Sequence, residues 1–220
     1  MDNKFAEAQA LEEIAAAIAH EVKNPLTLVG FNLDILEASD ERAEAQRNYA
    51  MIRKELRKVN DLIMDFIYLN KSPYIEKDVV FIHDLLGELE EDLSVAMPDI
   101  AIDVAYSQNN PAIHGHENSI RTLFGNIVKN AAEAMHFSGT LKITTESKDG
   151  HIEINFKDTG PGLDEFVQNK MFKEQFTTKP MGSGLGLSIC RKIVKEHDGD
   201  FALKNDEGGG CIATVIFREI

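Results

Sequence analysis

Residues 151–163 read HIEINFKDTGPGL. Up to Asp158 apolar and polar residues alternate, the period of a half-buried strand. An acid, two glycines and a proline then stop the pattern. Gly160 and Gly162 let the backbone come close to a ligand, and an ionised Asp158 accepts hydrogen bonds without donating any. Such an acid suits the exocyclic amine of adenine and rejects the carbonyl of guanine. Taken alone, the string describes a plain turn equally well.

Further runs of strand type flank this one: IAIDVAYS at 100–107, TLKITTES at 140–147 and CIATVIF at 211–217. SKDGH, between the runs at 140–147 and 151–158, reads as a hairpin turn. Helical patterns lie near 82–95, 117–136 and 184–197. Together they predict an α+β domain with a mostly antiparallel sheet and helices on one face. NKSPY at 70–74 separates it from a different texture upstream, so we divide the chain into 1–72 and 73–220.

In the first part Ile14, Ile18, Val22, Leu26, Val29, Leu33 and Leu36 recur at three and four, a helix with an apolar seam. A second stripe runs through Ile52, Leu56, Val59, Ile63, Phe66 and Leu69, after a Ser-Asp cap signal in ASDER at 38–42. A connection so short predicts an antiparallel hairpin. One hairpin has too little surface to bury both seams, so a homodimer forming a four-helix bundle is expected. HEVKNPL, 20–26, interrupts the first helix with unusual residues. His20 stands two positions from both Ile18 and Val22, which turns it off the seam toward solvent. With an ordinary pKa of about 6.5 it is mostly neutral at pH 7 and has a lone pair for attack on phosphorus. Pro25 is expected to kink the helix beside it. His83, His116, His136, His151 and His197 read as ordinary surface histidines.

Three more stretches of the second part carry candidate chemistry. In NIVKNAAEAM, 126–135, Asn126 and Asn130 share a helix face, and alanines leave room beside Asn130. GSGLGLSICRKIVKEH, 182–197, is a glycine-rich turn opening into a helix, whose free N–H groups suit phosphate. It is neither a dinucleotide fingerprint nor a Walker loop. Between the glycine segments, DEFVQNKMFKEQFTTKPM at 164–181 is long and without clear period, as expected of a lid over a nucleotide or of an irregular surface loop.

Composition narrows the classes. Net charge is −14, from 23 basic and 37 acidic residues, with the basic ones scattered. That surface repels phosphate backbones and acidic lipid, which argues against nucleic acid as a partner. The longest uncharged stretch of the first half, NPLTLVGFNL, is about half of what a membrane span needs, so no direct membrane insertion by this segment is expected. Cys190 and Cys211 lack metal-like spacing, and the stretch MDNKFAEAQALEEI does not follow the basic, apolar, small-residue order expected of a secretory signal. A cytoplasmic setting is expected for the segment, and a membrane-anchored parent is compatible with it.

In this order the stretches resemble the N box, first glycine box, phenylalanine box and second glycine box of the GHKL-type ATP-binding fold. With HEVKNPL in a preceding hairpin, the chain resembles the two-component sensor histidine kinases over nearly its whole length. TTK before the second glycine box is similar to the lid style of the nitrogen-regulatory and sporulation branches.

The resemblance implies ATP-dependent autophosphorylation of His20 and transfer to an aspartate of a response regulator receiver domain. It implies Glu21 as the proton acceptor and Asn24 as the residue orienting a water for phosphatase activity. It implies ATP and Mg2+ as cofactors, with Asn130 ligating the metal and Asn126 as its companion. Asp158 would read adenine, with Gly160 and Gly162 forming the base-side turn. Gly182, Gly184, Leu185 and Gly186 would form the phosphate-side turn, with Lys179 or Lys129 near the phosphates. Glu133 departs from the pattern, since many relatives carry a basic residue there. The rivals are a GHKL kinase acting on Ser or Thr, an ATPase clamp, and a phosphotransfer scaffold with a degenerate nucleotide domain. Acid-stable phosphate on a partner favours the first, and failure to bind an ATP analogue favours the last.

Overall fold

The computed structural model describes residues 22–36, 42–70, 77–107, 109–163 and 185–220. They fall into two compact units. The first holds helix α1, residues 22–36, and helix α2, Arg42–Asn70. The expected seam is divided in two. Ile52 is buried and Val22, Val29 and Val59 are half-buried, whereas Leu26, Leu33, Leu56 and Ile63 each remain more than 40% exposed. On α1 the exposed pair is spaced by seven, and on α2 Tyr49, Leu56 and Ile63 repeat that spacing, so each helix keeps an uncovered apolar stripe. Three polar residues are buried beside the seam, Asn32, Asn48 and Glu55. Asn32 donates to the Leu28 carbonyl at 2.7 Å, and Glu55 pairs with Lys58 at 2.8 Å. Pro25 is buried near the start of α1. The carbonyl that its missing N–H would have met belongs to Glu21, so the expected kink lies outside the described residues.

The second unit begins with β1 (Asp78–Phe81), α3 (Ile82–Ala96), β2 (Ile100–Ala105) and β3 (Ala112–Gly115). It continues through α4 (Glu117–Ala134), β4 (Gly139–Lys148) and β5 (His151–Asp158). It ends with α5 (Leu185–Glu196), which belongs to this unit from Gly186 onward, β6 (Asp200–Asn205) and β7 (Cys211–Arg218). β1 and β3 pair antiparallel, and five strands form the main sheet in the order β2-β4-β5-β7-β6. Only β2 and β4 run parallel, so the sheet is mixed and mostly antiparallel. Asp149 and Gly150 join β4 to β5 with φ of 54° and 74°, the left-handed pair that a two-residue hairpin turn demands.

Alternation places the core. Ile152, Ile154 and Phe156 of β5 face inward, level with Ile143 of β4 and Ala213 and Val215 of β7. α4 lies on this face and presents Phe124, whose ring is 5.5 Å from that of Phe156. Strand-like patterning extends over 100–107, but β2 stops at Ala105, where pairing with β4 ends at Thr144. β1, β3 and β6 show no strand pattern in sequence. Two of them have only four residues, and β6 is an edge strand with no fully buried side chain.

Because Phe156 is 1% exposed and packed between the sheet and α4, Phe156→Ala is expected to cost this unit ~3–5 kcal/mol in denaturant unfolding. The helical unit should keep its own transition.

Candidate functional site

α4 organises the second unit's chemistry. His116 caps it, its ring accepting from the Ser119 N–H at 3.3 Å. Ile120, Leu123, Phe124, Ile127, Val128 and Ala131 are buried and fix the helix in rotation. That leaves Asn126, Asn130 and Ala134, each four apart, as one half-buried stripe. Two glycine segments meet this stripe. A methyl group placed on Gly186 would lie 3.3 Å from Asn126 Oδ1 and 3.8 Å from Asn130 Nδ2. One placed on Gly160 would lie 3.4 Å from the Ala134 backbone. Asn126 Nδ2 donates to the Thr122 carbonyl at 3.0 Å. The Asn130 amide makes no hydrogen bond to any described residue, so its oxygen is available to a hard cation.

Asp158 closes β5 and is 6% exposed. Its Oδ1 accepts from the Gly160 N–H at 2.8 Å and from the Cys211 N–H at 3.2 Å. Oδ2 has no partner among the described residues and can accept a hydrogen from an amine. The hairpin between β6 and β7 comes in so closely that a methyl on Gly210, at φ 87°, would run into the Asp158 carbonyl. Thr159 ties the turn back to α4 and β4: its hydroxyl accepts from the Thr140 N–H at 3.0 Å and donates to Met135 Sδ at 3.4 Å. At the far end, the Asn205 side chain bonds both main-chain groups of Leu163. Burial and the adjacent Asp158 push the Cys211 thiol up to about 12, which leaves it protonated and unreactive.

The structure thus brings Asn126, Asn130, Asp158, Gly160, Gly162 and Gly186 together within the second unit. Asn24 is exposed on α1. His20, Glu21, Lys179, Gly182 and Gly184 lie outside the described residues. Asn205, Met135 and the Cys211 amide escape sequence reading, although GGG at 208–210 ahead of a strand already signals a close backbone approach.

His136 and His151 are exposed as expected, but the reading of His197 and His83 needs correction. His197 is buried, not superficial: Nδ1 donates to the Ile193 carbonyl at 2.7 Å, so Nε2 accepts from the His116 N–H at 3.0 Å. It joins the end of α5 to the start of α4. Gly115 is required there, because a methyl would lie 2.9 Å from the His197 ring. His83 likewise bonds Thr145 at 2.9 Å and stacks on Tyr106.

Comparison with known proteins agrees with this arrangement. Residues 10–74 match the family described as "His Kinase A (phospho-acceptor) domain". Residues 115–219 match "Histidine kinase-, DNA gyrase B-, and HSP90-like ATPase". The catalytic domain of histidine kinase ThkA is 30% identical with TM-score 0.59, over 66% of this chain and 97% of that one. The chain belongs to the two-component sensor histidine kinases. Sporulation kinase C of Bacillus subtilis (strain 168) is 31% identical to this histidine kinase over 207 residues, 93% of this chain and 48% of its own length. Histidine kinase ThkA in complex with the response regulator TrrA aligns over 98% of this chain and 64% of that one, at TM-score 0.80 and 26% identity. The chain spans about a quarter to a half of the length of the curated relatives it matches. Among the described residues no helix of this kinase is long and apolar enough to cross a membrane.

His197 gives the kinase a pH dependence. Burial lowers its pKa below the usual 6.5, opposed by the Ile193 carbonyl and Glu196 and reinforced by Lys77 and His116. The unfolded chain therefore takes up a proton that the folded one refuses, and stability, full above about pH 6.5, declines below it. Thermal melts from pH 7.5 to 5.5 should show this decline in the second unit. His197→Gln should flatten it, from a lower starting stability.

Proposed function

We propose that this chain is a protein-histidine kinase core, with 1–72 as the dimerising phosphoacceptor hairpin and 73–220 as the catalytic ATP-binding domain. It uses ATP to phosphorylate His20 and passes the phosphoryl group to an aspartate of a response regulator receiver domain. The observation that carries the reading is the α4 stripe, where Gly186 closes on Asn126 and Asn130 and Gly160 on Ala134, while the Asn130 amide and Asp158 Oδ2 have no partner among the described residues. An acceptor-only oxygen next to two permissive glycines fits the adenine amine. The start of α5 at Leu185, after Gly182 and Gly184, supplies N–H groups of the kind that hold phosphate.

The donor set suits Mg2+. No group of three or more His, Cys, Asp or Glu that could hold a metal occurs among the described residues. Magnesium takes oxygen donors, and an amide oxygen would serve as a protein ligand beside substrate phosphates. Asn130 would be that ligand and Asn126 would steady it. When bound, the metal neutralises charge on the phosphates. Lys179 is assigned to the same phosphates from its sequence position.

In the chemical step a neutral nitrogen of His20 attacks the γ-phosphorus. The N–P bond forms as the bond to the β-phosphate oxygen breaks, ADP leaves, and the proton on the other ring nitrogen passes to Glu21. Asn24, exposed on α1 and four positions after His20 in sequence, would orient water for hydrolysis of the phosphorylated regulator. The relative ThkA is known in complex with a response regulator, which supports that class of partner. The stripes left bare at Leu26, Leu33, Tyr49, Leu56 and Ile63 support a homodimer, since a second hairpin would cover them.

With γ-labelled ATP, His20→Gln should abolish incorporation of acid-labile phosphate while leaving binding of an ATP analogue intact. Retained label would refute His20 as the acceptor, and acid-stable label would point to a hydroxyl acceptor. Asn130→Ala should instead reduce the labelling rate at least a hundredfold, with a smaller change in adenosine binding, if phosphate positioning and charge stabilisation dominate the catalysis.

A further inference from the structure

We propose that Asn205, on the edge strand β6, is a positioning residue for base recognition: its side-chain amide holds the exit of the 158–163 turn and thereby sets the aim of the Asp158 carboxylate. The inference rests on the reading of Asp158 as the adenine-recognising acid. After Asp158 the chain leaves β5, crosses the end of β7 and reaches β6, the second strand over in the sheet. There Asn205 Oδ1 accepts from the Leu163 N–H at 2.6 Å, and Nδ2 donates to the Leu163 carbonyl at 2.7 Å. Both main-chain groups of one residue are met by one side chain, as a neighbouring strand would meet them. A carboxamide can do this because it carries donor and acceptor on one planar end, whereas a carboxylate offers only acceptors.

The crossing has little slack. A methyl on Gly162, at φ 76°, would stand 3.0 Å from Asn205 Oδ1 and 3.3 Å from the Gly210 carbonyl. The other end of the same turn is tied to the same hairpin, because the Cys211 N–H that holds Asp158 Oδ1 belongs to the residue paired with Asn205 across β6 and β7. One strand pair thus pins the turn at entry and exit. Gly160, between the pins, donates the second hydrogen bond to Oδ1 and leaves Oδ2 without a partner among the described residues. Removing the Asn205 amide takes away two of the bonds that hold Leu163, which loosens Gly160 and with it the rotation of the carboxylate. The expected signature is a loss of discrimination between bases and not only a loss of affinity.

The test uses the whole chain, with Kd for non-hydrolysable ATP and GTP analogues in Mg2+ by calorimetry, and amide exchange over 159–163 by mass spectrometry. For Asn205→Ala, Kd for the ATP analogue should rise about fivefold, the equivalent of one net hydrogen bond. GTP-analogue binding should change less, so the preference for adenine narrows, and exchange at Leu163 should quicken. Asn205→Asp keeps the acceptor alone and should fall between wild type and Asn205→Ala; it carries the same test if the alanine variant does not fold. Asp158→Asn is the control for the underlying reading. If it loses the adenine preference while Asn205→Ala and Asn205→Asp keep it, the role given to Asn205 is wrong. If Asp158→Asn itself keeps the preference, the base-reading assignment falls, and the inference with it.

Discussion

Where two backbones and a helix must lie closer than side chains allow, glycine decides the arrangement. Gly210 against the Asp158 carbonyl is such an approach, Gly186 stands close against Asn126 and Gly160 lies in contact with Ala134, and the chemistry of the second unit is distributed among them. α4 is held in rotation by its buried face, so the opposite stripe has no freedom to turn away. A residue with a Cβ at Gly210 would have to displace main chain, which yields far less readily than a flexible side chain, whereas one at Gly186 would press on Asn126 Oδ1. The polar groups then need little further machinery. A carboxylate fixed through one oxygen keeps the other for an incoming donor, and the Asn130 amide has no hydrogen-bond partner among the described residues.

What the sequence discloses depends on how local the signal is. The runs at 140–147 and 151–158 are legible because alternation of apolar residues reports a sheet with one covered face, and the Asp-Gly between them fits the turn that joins them. The Asn pair and the two glycine segments are visible for the same reason, since each is a short pattern with its own physical meaning. β1 and β3 are four residues each and are specified by pairing with one another over more than thirty positions of chain. No window-sized pattern can report that.

Asn205 and His197 are hidden in another way. Each looks like a polar residue near an element's end, the usual place for solvated groups. Their partners, Leu163 and the His116 amide, are 42 and 81 residues distant. The helical unit shows a milder case. Its seam is plain in the spacing, but which half of it is covered by the neighbouring helix, and which half stays open, depends on how two helices rotate against each other. The buried Asn32, Asn48 and Glu55 interrupt what spacing alone would make a wholly apolar interior.

The lone parallel pair, β2 with β4, has a topological effect. Parallel neighbours cannot be joined by a tight turn, so the chain from Ala105 to Gly139 must leave the sheet, cross its face and return. β3 and the asparagine-bearing helix α4 are carried inside that excursion. Closing it is slow relative to hairpin formation, because a long segment gives up its freedom before any pairing compensates it. Yet once β4 has docked beside β2, the helix is captive within an excursion whose two ends are strands of one sheet. Nucleotide chemistry in this fold is therefore mounted on the part of the chain whose arrival completes the sheet and whose later departure would require taking it apart.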